Sequence, residues 1–126
     1  MKRLLLAAAL ALCASAANAA ASPYDGAYAC TGYVPALNYG FTAYSVFLSH
    51  PDGSAAASIL APVPTGAQLY GYSFGTLSGN VYTGTSGING QTSTVTFGTN
   101  GTFTTAGELI YGGVTYPDTV TCSKIF

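Results

Sequence analysis

The sequence has 126 residues, of which only three are basic and four are acidic, and its aromatic residues are ten Tyr and six Phe without any Trp. Two of the three basic residues, Lys2 and Arg3, lie at the extreme N-terminus. A chain with so few cations cannot neutralise a phosphate backbone, so the composition argues against nucleic-acid binding. The length fits one domain with a modest core.

The first residues have the pattern of a secretory signal peptide. Met1-Lys2-Arg3 is followed by a short apolar run and then by Ala17-Asn18-Ala19. A basic start, a short apolar stretch and an A-x-A site are typical of such peptides. We therefore expect residues 1–19 to be removed and residues 20–126 to form a single all-β domain. The mature chain is expected to be exported to the periplasm or the extracellular space.

A bacterial lipoprotein site is the alternative for this segment. Leu10-Ala11-Leu12-Cys13 has the Cys of such a site. Because these sites have a small residue directly before the Cys, Leu12 disfavours lipidation.

The two cysteines of the mature chain predict a disulfide. Once Cys13 is removed with the signal peptide, Cys30 and Cys122 remain near the two ends. Two thiols in an oxidising compartment usually pair, and no C-x-x-C spacing suggests a redox or metal site. We expect a structural disulfide, no bound metal and no cofactor.

Turn signals at regular spacing predict short antiparallel strands. Dipeptides such as Asp52-Gly53, Asn89-Gly90 and Asn100-Gly101 suit tight hairpin turns. The runs between them are rich in Tyr, Phe, Val and Thr, which favour strands. The expected strands are 26–34, 41–48, 55–61, 68–77, 80–87, 91–98, 102–106, 108–111 and 114–124, the last one broken near Pro117.

Short connections favour a meander in which consecutive strands pair. The sequence therefore predicts an all-β fold, either a small antiparallel meander barrel of about eight strands or a β-sandwich. A meander barrel closes only when its first and last strands meet, and Cys30 and Cys122 lie in those strands. Gly26-Ala27-Tyr28 resembles the Gly-x-Trp that opens lipocalin and avidin barrels; with Tyr in place of Trp, the resemblance implies a barrel fold only.

The segment 94–104 is expected to form two short strands joined by a turn. On 92–97, alternation places one set of side chains towards the core and the other towards water. The core set is Ser93, Val95 and Phe97, with Phe103 nearby, and the water-facing set is Thr92, Thr94 and Thr96.

An aromatic row on 69–77, formed by Tyr70, Tyr72 and Phe74, is the strongest candidate for a functional site. The row is expected to face the interior, either as core or as the wall of a ligand cavity, because Tyr combines an apolar ring with a hydroxyl. Gly71, Ser73 and Gly75 occupy the opposite face. The candidate ligand-binding residues are Tyr70, Tyr72 and Phe74, with Tyr82 and Tyr44 as partners from other strands.

Catalysis has little support in the sequence. His50 lies in a turn beside Asp52, and no second His or free Cys completes a site. Asp25 and Glu108 would form a carboxylate pair only if the fold brought them together. We expect a protein that is not an enzyme and has no catalytic residues.

The expected function is therefore binding. The first hypothesis is a small neutral ligand or an interaction role with a component of the cell envelope. A second is surface adhesion through the Thr-rich face. A third is a small outer-membrane barrel, which the sequence disfavours because the strands are short and because Lys124 would face lipid in such a barrel.

Overall fold

The computed structural model describes residues 22–62 and 68–126, and of residues 61–62 and 68–70 it describes the backbone only. The predicted signal peptide and lipoprotein site lie outside the described residues. The described residues form eight strands: β1 Gly26–Val34, β2 Tyr39–Ser49, β3 Ser54–Pro62, β4 Gln68–Ser78, β5 Val81–Ser86, β6 Thr92–Thr96, β7 Thr102–Tyr111 and β8 Val114–Lys124. A 3₁₀ turn at Pro35–Leu37 joins β1 to β2.

The strands form one antiparallel sheet with the order β6-β5-β4-β3-β2-β1-β8-β7, which curls into a nearly closed barrel. The predicted meander barrel is confirmed. Its first and last strands pair, and Cys30 lies directly opposite Cys122 with the two Cα atoms 4.0 Å apart. The predicted disulfide is also confirmed, and it crosses the β1–β8 junction.

The barrel has a seam between β6 and β7, where the sequence predicted a hairpin. The turn itself forms: the amide of Gly98 donates to the carbonyl of Thr102 at 2.7 Å, and Gly101 has a φ of 73°. The flanking strands share no ladder, however, and are the two edges of the sheet. The amide of Phe97 instead donates to the carbonyl of Asn80, and that of Lys124 to the carbonyl of Gly101.

The prediction of two strands at 102–106 and 108–111 is wrong, since β7 runs unbroken through Gly107. The predicted break near Pro117 is also wrong, since β8 is continuous. The ladder with β1 reaches only as far as the Tyr33–Thr119 pair. Pro117 lies beyond it, so its missing N–H costs no bond to β1.

One end of the barrel, here called the closed end, is filled by an aromatic core. Phe97 is at its centre and packs against Phe47 at 4.9 Å, Phe103 at 5.3 Å and Tyr24 at 4.7 Å between ring centroids. Tyr28 is fully buried beside them, and burial raises its pKa to about 12. The prediction that Val95, Phe97 and Phe103 face the core is confirmed, but Ser93 of the same predicted set is exposed and borders the cavity described below instead.

Candidate ligand cavity

The faces of β4 are the reverse of those predicted. Tyr72 and Phe74 are 45% and 64% exposed, and their rings pack against each other at 5.8 Å on the outer surface. Gly71 and Ser73, on the other face, border the interior. The prediction that the aromatic row lines the inside of the barrel is therefore wrong for Tyr72 and Phe74.

The other candidate residues also divide between the two faces. Tyr44 lies outside and is 63% exposed, so the prediction that it joins an interior aromatic wall is wrong. Tyr82 is inside and only 2% exposed. The side chain of Tyr70 lies outside the described residues. Tyr72 reaches the rim of the interior, where its hydroxyl donates to the carbonyl of Gly87 at 3.2 Å.

The small residues of β4 face inward because larger side chains from neighbouring strands already occupy that space. The ring of Tyr82 packs edge-to-face on Phe47 at 5.1 Å, and its hydroxyl lies 2.8 Å from Oγ of Ser73. A Cβ on Gly71 would lie 2.6 Å from Cγ2 of Ile59. The interior therefore accepts only small side chains from β4 at this level.

Above the aromatic core the interior is not filled. A cavity of about 600 Å³ occupies the end of the barrel away from the turn at 98–101, here called the open end. Its inner wall is mainly apolar, with Phe41, Phe47, Ile59, Tyr82, Val95, Leu109 and Val120 among the lining residues. A space of this size is within the range of small-molecule sites, about 300–1,000 Å³.

The cavity opens to solvent on the side of the barrel where β5 and β6 are short. The β4–β5 ladder ends at the Ser73–Ser86 pair, although β4 continues to Gln68. β6 has five residues, whereas β7 has ten. The exposed side chains of Ile88, Asn89 and Gln91 line the rim in the resulting notch.

A few polar groups interrupt the apolar wall. Ser45 is buried on β2, and Ser73 and Tyr82 satisfy each other by a hydrogen bond. Asp118 lines the cavity from β8, and its Oδ1 atom is buried without any hydrogen-bond partner in the described structure.

The environment of Asp118 disfavours its charged form. Burial raises the pKa of this carboxyl, the nearby Glu108 carboxylate raises it further, and the Gly107 amide opposes the shift. Such a combination of desolvation and a like charge in a cleft is common at functional sites.

The carboxylate pair considered for Asp25 and Glu108 does not form. Asp25 lies at the closed end, where its Oδ1 accepts hydrogen bonds from the amide and the hydroxyl of Ser49 at 2.8 and 2.7 Å. Glu108 lies opposite Pro117 on the rim of the cavity. The register of β1 and β8 places these two carboxylates at opposite ends of the barrel.

His50 does not contribute to the cavity either. It lies in the exposed turn before β3 with Nδ1 3.3 Å from Asp52 Oδ1. The pKa of Asp52 is lowered, first by the hydrogen bond from the Ser54 hydroxyl. Within residues 22–62 and 68–126, no three His, Cys, Asp or Glu side chains are grouped as metal ligands.

Sequence reasoning missed Asp118, although one signal pointed to it. Alternation along β8 puts Asp118, Val120 and Cys122 on one face, and Cys122 is buried in its disulfide to Cys30 on the adjacent strand. The disulfide thus identifies which face of β8 is internal. By the same alternation Lys124 belongs to the inner set, so it would not face lipid in a membrane barrel, and this argument against such a barrel is wrong.

The outer surface has two different halves. Rows of Thr cover β5 to β8, and hydroxyl pairs such as Thr85–Thr92 at 3.1 Å and Thr104–Thr121 at 3.0 Å link adjacent strands. The predicted exposure of Thr92, Thr94 and Thr96 is confirmed. On β2 and β4, in contrast, a group of exposed apolar residues forms what we call the outer patch: Tyr44, Val46, Leu48, Tyr72 and Phe74.

Comparison with protein-family models, with curated proteins and with solved structures finds no match for this chain. In the described part of the chain, no helix combines the length and apolarity needed to cross a membrane.

Proposed function

We propose that this protein binds a small, largely apolar ligand in the cavity at the open end of the barrel, without catalysing a reaction. The observation that carries the proposal is the cavity of about 600 Å³ beside a closed end that is filled by buried aromatic side chains. Because protein interiors are normally packed as densely as organic crystals, an unfilled space of this size is consistent with an occupant.

The composition of the wall supports this proposal. Apolar side chains provide most of the surface, and isolated polar groups such as Ser45 and Asp118 could orient a ligand. The one His in the sequence, His50, is exposed in a turn at the other end of the barrel. A binding role therefore fits the described residues better than a catalytic one.

We place this activity in an exported protein of the periplasm or extracellular space. The signal-peptide pattern of residues 1–19 and the Cys30–Cys122 disulfide support this location. The seam favours an aqueous setting over the outer membrane, because the unpaired backbone edges of β6 and β7 would be unsatisfied in hydrocarbon.

Filling the cavity tests the proposal. The probe is N-phenyl-1-naphthylamine, an uncharged dye whose fluorescence rises in apolar sites. Ser93→Trp places a large side chain on the cavity wall, whereas Thr94→Trp places the same side chain on the outer face of the same strand. We expect the wild type and Thr94→Trp to bind the dye at one equivalent, and Ser93→Trp to lose at least about 90% of the affinity.

Two results would contradict the proposal. One is the absence of saturable dye binding to the folded wild type. The other is equal loss of binding in Ser93→Trp and Thr94→Trp, which would locate the dye on the surface. Circular dichroism of both variants establishes that the barrel is retained.

The outer patch favours a second candidate function, an interaction role at the cell envelope. The β2–β3–β4 register places Leu48, Ala56 and Phe74 in one row, so the half-buried Ala56 links exposed apolar groups on β2 and β4 into one apolar surface. Contiguous patches of this kind often mark interaction sites. Replacing Leu48 and Phe74 by Thr should then abolish self-association or retention on envelope material, while dye binding in the cavity is unchanged.

A further inference from the structure

The carboxylate of Asp118 has an unusual position in the cavity. It belongs to the inner face of β8, with Val120 and Cys122, and its buried Oδ1 has no hydrogen-bond partner among the described residues. Gly107, its partner on β7, leaves the space for it, because a Cβ there would lie 2.4 Å from Oδ1. A buried carboxylate oxygen that lacks a hydrogen bond is costly, and native proteins rarely contain one.

No cation of the described chain can compensate this carboxylate. Lys124 is the only Lys or Arg after residue 3, and its Nζ donates to the carbonyl of Pro23 at 2.7 Å at the closed end. His50 is in the turn before β3, also at the closed end. The charged group that acts on Asp118 is instead Glu108, a second carboxylate on the rim. The open end therefore has two acidic groups and lacks a basic side chain among the described residues.

We propose that the ligand of this cavity is a small apolar molecule with one ammonium group, which pairs with Asp118 while its apolar body contacts the aromatic and aliphatic wall. The inference rests on the proposed function and departs from it on one point, because the sequence predicted a neutral ligand. A neutral hydroxyl would supply one hydrogen bond but leave the partly buried charge uncompensated. An ammonium group supplies both the opposite charge and several donors.

Competition with matched probes tests this inference. Octylammonium chloride, 1-octanol and sodium octanoate have the same chain length and differ in the charge of the head group. Each is titrated against the wild-type protein loaded with N-phenyl-1-naphthylamine at neutral pH and low salt. We expect octylammonium to displace the dye at a concentration at least about tenfold lower than 1-octanol, and octanoate to be the weakest.

Variants assign the preference to one carboxylate. Asp118→Asn keeps the shape of the side chain and removes its charge, so octylammonium and 1-octanol should displace the dye at equal concentrations. Glu108→Gln, on the exposed rim, should keep most of the preference. A high-salt titration should weaken the wild-type preference without abolishing it, because the Asp118 residue is only partly buried, although its Oδ1 is inaccessible to solvent.

The inference is overturned if 1-octanol competes as well as octylammonium in the wild type, a result that does not depend on any variant. It is also overturned if the preference survives Asp118→Asn. In both cases the dye still binds, so the proposed function stands. If the dye and all three probes fail to bind, the proposed function and this inference fall together.

Discussion

The barrel has two junctions at which it could close, and they are built in opposite ways. β1 and β8 come from the two ends of the sequence, yet they share a ladder and a disulfide. β6 and β7 are adjacent in sequence and joined by a regular turn, yet they share no ladder. The junction between distant segments is closed, and the junction between neighbouring segments is open.

This difference shows that a turn does not determine the pairing of the strands around it. At the seam the side chains of Phe97 and Phe103 both enter the closed end and pack edge-to-face. The backbone on each side of the turn is hydrogen-bonded elsewhere, to Asn80 and to Lys124. Packing at the closed end therefore takes precedence over a local hairpin, and residues from both sides of the seam, such as Ser93 and Leu109, line the cavity.

The largest expected effect comes from removing the disulfide. Replacing Cys30 and Cys122 together by Ala releases a segment with a sequence separation of 92. The free energy of unfolding should fall by about 4–5 kcal/mol in the chain-entropy description. Urea unfolding of the variant, compared with the oxidised and reduced wild type, measures it. A loss below about 1 kcal/mol would show that the β1–β8 ladder closes the barrel without covalent help.

The second test compares two Phe residues on opposite faces. Phe97 is buried in the closed-end core, so Phe97→Ala should lower the free energy of unfolding by about 3–5 kcal/mol. Phe74 is on the outer patch, so Phe74→Ala should cost less than about 1 kcal/mol. Chemical denaturation of both variants gives the two values. Similar costs would mean that the assignment of the two faces of β4 is wrong.

Hydrogen exchange compares the two junctions directly. Amides in the ladder between β1 and β8 should exchange only through global unfolding. Amides on the free edges of β6 and β7 should exchange at least about 100-fold faster, because they need only local opening. Residue-resolved exchange by NMR gives both rates. Equal protection at the two junctions would indicate that the seam is paired in solution.

The smallest expected effect is the pH dependence due to Asp118. Its carboxyl has a pKa above the ordinary 3.8 in the folded protein, mainly because of burial. The folded state therefore holds this proton more tightly than the unfolded chain, and stability decreases as pH rises from about 3.8 through the raised pKa. Asp118→Asn should be more stable than the wild type at neutral pH, and the advantage should shrink in acid.

Asp52 provides a control of opposite sign. Its pKa is lowered, mainly by the Ser54 hydroxyl, so its stabilising contribution is present above 3.8 and disappears as pH falls through the lowered value. Asp52→Asn should therefore lose stability at neutral pH. If Asp118→Asn and Asp52→Asn changed the free energy of unfolding at neutral pH in the same direction, the burial of Asp118 would not be the cause of its effect on stability.

The architecture was predictable because its signals are local and repeated. Turn dipeptides such as Asp52-Gly53 and Asn100-Gly101 mark strand ends, and the positions of Cys30 and Cys122 identify the closing strands. Alternation also identified the faces of β6 correctly, because Thr on one side and Val95 and Phe97 on the other have very different polarity.

The candidate site was not predictable from the same reasoning. On β4, alternation separates Tyr72 and Phe74 from Gly71 and Ser73 but does not say which set is internal. The assumption that large apolar residues face inward failed because Tyr82 and Phe47, from other strands, occupy that part of the interior. Asp118 was missed because its position depends on which face of β8 the disulfide occupies and on a missing side chain at Gly107.

The position of the disulfide also has a mechanical consequence. Tension applied on the outer sides of Cys30 and Cys122 passes through the sulfur–sulfur bond instead of the hydrogen bonds of the sheet. The segment between them has a sequence separation of 92 and would span about 300 Å when fully extended, but it cannot extend while the disulfide is intact. A protein pulled at its two ends would lengthen only through its short flanking segments, and a reducing agent would release the remaining length in a single event.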